Sequence, residues 1–155
     1  MNDILLALQS IISSAVGNGY TVFYGRFDPT PESVLPLIEI VAQSTTPNHT
    51  GTGGLMDEEI IIEVRLKVAM KSFLKTNTNI SIVSHHQELI KVMEERNANR
   101  TYKSNTIMGA ITTNPSLNGT IGIVNAYNID YTVVEDARLA QATLRISAKR
   151  QIPTC

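Results

Sequence analysis

Residues 58–70 read Glu58-Glu59-Ile60-Ile61-Ile62-Glu63-Val64-Arg65-Leu66-Lys67-Val68-Ala69-Met70. Ile60, Ile62, Val64, Leu66 and Val68 fall on one side, and Ile61, Glu63, Arg65, Lys67 and Ala69 on the other. A period of two marks a strand with one buried face. At roughly 3.3 Å per residue this strand would reach about 43 Å. A compact domain of this length has a radius of gyration of roughly 15 Å, so a diameter near 40 Å. The strand is therefore expected to cross the whole domain or to run off its edge. Long strands with usable edges point to a subunit of an assembly.

Working outward, Asn2 or Asp3 can cap a helix whose apolar stripe is Ile4, Leu5, Leu8, Ile11, Ile12, Ala15 and Val16. Gly17 or Gly19 supplies its left-handed stop. Tyr20 to Phe27 predicts a strand, ended by Asp28-Pro29-Thr30-Pro31. Leu37 to Gln43 predicts a second, short strand inside the sheet. Ser44 to Met56 is polar and carries three glycines, and predicts a long flexible loop.

Beyond the long strand, Ser84-His85-His86-Gln87 fits a capping box for a helix with Leu89, Ile90 and Met93 on its apolar face, ending near 97–99. Asn105 to Thr113, Ile121 to Val134 and Gln141 to Gln151 predict three further strands, with a turn at Asn118-Gly119. The fold class is α+β: one domain spanning 1–155, with a largely antiparallel sheet and two helices packed on one face.

The 155 residues carry a net charge of −1, and only 17% are charged. No basic excess draws nucleic acid. A weakly charged polar surface suits contact with other subunits, and equally a plain soluble protein. The one cysteine, Cys155, allows no internal disulfide. The N-terminal apolar segment lacks a basic start and a cleavage signature, so it is expected to be a helix and not a signal peptide. No apolar run approaches a membrane span.

Catalytic motifs are not found. Gly51-Thr52-Gly53-Gly54 lacks a following Gly-Lys-Ser/Thr, and a strand follows it where a phosphate loop needs a helix N-terminus. His85 and His86 point about 100° apart on a helix and share no face. Asp57, Glu58 and Glu59 alternate faces in a strand, so they read as its solvated start. Arg26 and Asp28 flank a turn and pair locally at most. Five tyrosines, three phenylalanines and no tryptophan give little to stack on sugars or bases. The expectation is no enzyme, no catalytic residue, no cofactor and no metal.

The order of parts carries a resemblance. The Ile4-to-Val16 helix precedes Tyr24-Gly25-Arg26-Phe27-Asp28-Pro29 and a strand led by Pro36. A polar loop, the Ile60-to-Met70 strand and a Ser84-capped helix follow. The chain closes on Glu135-Asp136-Ala137-Arg138-Leu139-Ala140-Gln141-Ala142-Thr143-Leu144-Arg145-Ile146. This resembles the tail terminator (tail completion) proteins of long-tailed bacteriophages, in order and length and over nearly the whole chain, with no signature motif.

The resemblance implies a virion protein, assembled in the host cytoplasm, that forms a homohexameric ring. Such a ring caps the tail tube protein, ends tail polymerisation and offers a surface to the head-completion (neck) protein. DNA passes through its lumen without sequence-specific binding, and no membrane is involved. Thr46, Asn48, His49, Thr50, Thr52, Leu55 and Met56 are then the candidate contacts with tube or neck. Another neck or head-closure subunit stays open as an alternative, as does a small ligand-binding domain or enzyme with a loop-built site.

Overall fold

Burial follows the alternation of the long strand. Ile60, Ile62, Val64 and Leu66 are wholly buried, while Ile61, Glu63 and Arg65 between them are half-buried. The structure is a computed structural model that describes residues 2–26, 32–48, 54–69, 87–134 and 139–153. In chain order its elements are α1 (Asn2–Val16), β1 (Thr21–Tyr24), a 3-10 turn (Glu32–Val34), β2 (Leu37–Asn48) and β3 (Leu55–Ala69). Then come α2, whose described part is 87–94, α3 (Ile107–Thr113), β4 (Ile123–Val134) and β5 (Leu139–Pro153).

The strands form one sheet in the order β1-β2-β3-β5-β4. Only β1–β2 is parallel; the other three pairings are antiparallel. β3 and β5 pair residue for residue from Leu55↔Pro153 to Ala69↔Leu139 with no bulge. Bulges interrupt β2 between Ala42 and Ser44, and β4 between Ala126 and Asn128. The inner face sets Ile60, Ile62, Val64 and Leu66 opposite Ala148, Ile146, Leu144 and Ala142. Ala148 and Ala142 on β5 leave room for Ile60 and Leu66 on β3. Against this face pack Ile4, Leu8 and Ile12 of α1, Leu89 and Met93 of α2, and Ile107 and Ile111 of α3, in one core. The α+β class and the largely antiparallel sheet with its helices on one face are as expected.

Three expectations are corrected. First, residues 107–113 are a helix and not a strand. Thr106 is its N-cap, with Oγ1 accepting from the Gly109 amide at 2.9 Å. A side chain on Gly109 would collide with the backbone carbonyl oxygen of Lys103, so the helix sits hard against the preceding turn. Second, the long strand has no usable edge. β3 is the middle strand, flanked by β2 and β5. Third, the loop expected at 44–56 is strand at both ends, and 49–53 lie outside the described residues. Ser44 to Asn48 continue β2, and Leu55 and Met56 begin β3, with Asn48 opposite Asp57. From Ala42 to Pro47 β2 is exposed on both faces and has no apolar alternation, so periodicity could not reveal it.

The helix expected to run to 97–99 ends at Glu94, and the chain turns back through an Arg96–Tyr102 bridge. Gly17 takes the left-handed stop after α1, at φ 81°. The Asn118-Gly119 turn is present, with Leu117, Asn118 and Gly119 at φ 46°, 58° and 80°. The capping residues Ser84, His85 and His86 lie outside the described residues, as do Asp28 and Cys155. Among the described residues no helix is long and apolar enough to cross a membrane.

Candidate functional site: a three-stranded arm beyond the core

The core ends at the level of Ile60 and Ala148, both wholly buried. The sheet does not end there. Thr46–Asn48, Leu55–Glu59 and Lys149–Pro153 continue as a three-stranded arm, β2-β3-β5, past the last buried pair. Ala42 through Pro47 are all exposed. Burial of apolar side chains does not hold this arm in place; its continuous ladder with the buried sheet does.

Its base is fastened on the inner face by ion pairs. Arg150 and Glu58 stand opposite each other on β5 and β3, and Arg150 Nε donates to Glu58 Oε2 at 2.8 Å. Arg150 Nη1 reaches Asp3 Oδ2 of α1 at 3.0 Å. The Arg150 and Glu58 side chains are 17% and 12% exposed, so this link is stronger than a surface pair, while Asp3 at 53% adds less. One arginine thus ties the arm to the first turn of the first helix.

The outer face is a mixed-charge lattice. Ser147 Oγ donates to Glu59 at 2.9 Å, and Arg65 donates twice to Glu63, at 2.9 and 2.7 Å. Arg145 lies 3.6 Å from Glu63 and also pairs with Asp130 across β4. Lys67 Nζ sits 2.6 Å from Glu39 Oε1, with the lysine side chain 9% exposed and the glutamate not at all. Of the three consecutive acids, Glu58 binds on the inner face and Glu59 on the outer, as strand alternation requires.

The arm has two open margins among the described residues. On one side β1 pairs with β2 only as far as Tyr24↔Ile40, and the Gly25 amide makes the last bond, to Ile40 O at 2.8 Å. No described strand lies along Val41–Asn48 beyond that. On the other side β4 starts opposite Lys149, and the Gly122 amide closes the ladder on Lys149 O at 2.9 Å. Arg150–Pro153 extend past it. An open groove of about 790 Å³ runs beside this stretch, bordered by Thr46, Glu59, Thr120, Gly122 and Gln151.

The expected contact residues divide as follows. Thr46 is exposed on the arm opposite Glu59, and Met56 is half-buried opposite Ile152. Asn48 and Leu55 hold strand positions opposite Asp57 and Pro153. His49, Thr50 and Thr52 lie outside the described residues. Arg150 and the third strand of the arm had not been singled out. The available signal is the expected last strand, Gln141–Gln151, which already contains Arg150. Among the described residues no three His, Cys, Asp or Glu side chains are grouped so as to hold a metal ion.

No protein-family model matches the chain, and no curated protein matches it. It is similar to a chain of the virion of a native gene transfer agent particle, at 12% identity and a TM-score of 0.39, over 96% of this chain and 92% of that one.

Proposed function

We infer that the chain is a structural subunit of a phage-like virion, and that its place there is the end of the tail tube. The observation that carries this reading is the arm. A sheet that continues past its own core, with open margins, exposes backbone that a lone domain has reason to shield. A subunit has a use for it, because neighbours cover it on assembly. The resemblance of the whole chain to tail terminators gives the arm its setting. In that setting the protein acts by shape and contact, as a ring on the last ring of tube protein. It ends polymerisation and offers its far side to the neck, while DNA passes through the middle.

The test is assembly. Light scattering of the purified chain at several concentrations, with negative-stain imaging, should show rings with six-fold views. Added to growing tubes of the cognate tube protein, the chain should cap one end and fix tube length. A chain that stays monomeric and neither binds nor shortens tubes overturns the reading. Rings that bind a neck protein and ignore the tube would instead make it a head-closure subunit.

A further inference from the structure

We propose that copies of this chain join head to tail by sheet extension, the open half of β2 in one copy, Val41–Asn48, pairing with the β4 margin of the next. This rests on the reading of the chain as an assembly subunit and specifies the joint.

Three observations carry it. The first is the make-up of the two margins, the open half of β2 and the outer edge of β4, along which no described strand lies and where the Val124 amide already donates to Pro115 O at 3.1 Å. Val41–Asn48 contains no charged side chain, and β4 contains one, Asp130, which is already held by Arg145. Exposed sheet edges are normally guarded by charges, above all lysine, because unguarded edges aggregate. Here β2 relies on a bulge and Pro47 and β4 on a bulge at Tyr127, while Tyr127 and Val133 stand 51% and 55% exposed. These devices limit pairing to a short register without forbidding it.

The second is direction. Three antiparallel pairings separate β2 from β4, so the two strands run in opposite senses. Copies related by rotation about an axis along the strands would therefore meet in an antiparallel pair, the kind the sheet already uses. The tilt of strands in any closed sheet supplies the stagger that carries β4 of the neighbour clear of β1.

The third is that the two margins differ. A joint between unlike surfaces is heterologous, so it propagates around a ring and closes there, where a joint between like surfaces would stop at a pair. The occupant is thus a second copy, with its β4 edge.

Hydrogen exchange read by mass spectrometry on the full chain tests this without any variant. On passing from dilute monomer to assembled ring, amides in 41–48 and in 123–134 should both slow by about tenfold or more. Thr45→Pro adds a second reading. Thr45 and Pro47 are two apart, so their amides face the same edge, and a proline that keeps its place opposite Glu58 is facing outward. This variant should melt close to the parent and form no rings. Rings in which neither segment gains protection, or full rings of folded Thr45→Pro, overturn the joint and leave the assembly reading standing. A parent chain that never assembles, alone or on tube protein, overturns both.

Discussion

Lys67 and Glu39 meet across β2 and β3 on the outer face of the sheet, 2.6 Å apart, with both side chains buried. They are a diagonal pair, since Glu39 stands directly opposite Arg65. Each charge has lost most of its water, and the partner's charge helps to offset that loss. Beside them Leu37 and Thr143 are also buried, so the outer face is dry at this end and wet toward the arm.

Removing one member of this pair should therefore harm more than removing both. Lys67→Met removes the cation beside a buried carboxylate and should cost about 3 kcal/mol. The double variant Glu39→Leu/Lys67→Met should return to within about 1 kcal/mol of the parent. Urea unfolding of the four proteins in the cycle measures this. Additive losses would mean that the pair does not act as a unit.

Tyr131 Oη donates to Glu94 Oε2 at 2.6 Å, joining β4 to α2. Burial first, and then the Glu94 carboxylate, push its phenol well above the usual tyrosine range. The unfolded chain ionises this tyrosine near pH 10. Its contribution to stability is therefore complete below about pH 10 and is lost as pH rises from there toward the folded value. An alkaline absorbance titration should show one late tyrosine, and Tyr131→Phe should abolish that late step. Stability of the variant should fall less steeply above pH 10 than that of the parent. An unchanged late step would assign it to another residue, and Tyr20, also raised by burial, is the one to try next.

Helix α3 depends on local contacts that can be tested singly. Thr106→Ala removes the cap and should cost about 1 kcal/mol. Gly109→Ala adds a methyl group against the Lys103 carbonyl and should cost about 2 kcal/mol. In an ordinary helix the glycine-to-alanine change stabilises, so the sign alone decides. A Gly109→Ala protein that melts higher than the parent would show that the helix can lift off the 103–106 turn.

That helix also marks the limit of reading this chain by pattern. Ile107-Met108-Gly109-Ala110-Ile111 is short and apolar, and a buried strand and a buried helix look alike at such a length. What decides is a threonine cap and a glycine pressed on a carbonyl, both matters of packing. By contrast the 60–68 alternation and the α1 stripe were legible, because each has one dry face and one wet face. The arm was legible only in part. Its β2 strand is wet on both sides, so no period marks it. The register that sets Arg150 opposite Glu58, and Lys67 beside Glu39, appears only when strands distant in sequence are paired.

The arm can be removed without entering the core. Thr46 and Glu59 are a cross-strand pair, so an Asn-Gly turn joining them deletes residues 47–58 and leaves every wholly buried residue in place. The loss is Glu58 as a partner of Arg150, which keeps Asp3. This should cost about 1–2 kcal/mol, within the range of a charge-assisted hydrogen bond. The shortened protein should fold cooperatively, melt a few degrees lower, and stay monomeric at concentrations where the parent forms rings. Arg150→Gln in the full-length chain separates the two effects, since it loosens the base and keeps the strands. It should lose at least as much stability, with rings still forming. If the shortened protein forms rings as readily as the parent, the arm is not an assembly element. Ring contacts would then have to come from the core sheet and helices, and the chain's extension past its own core would need another use.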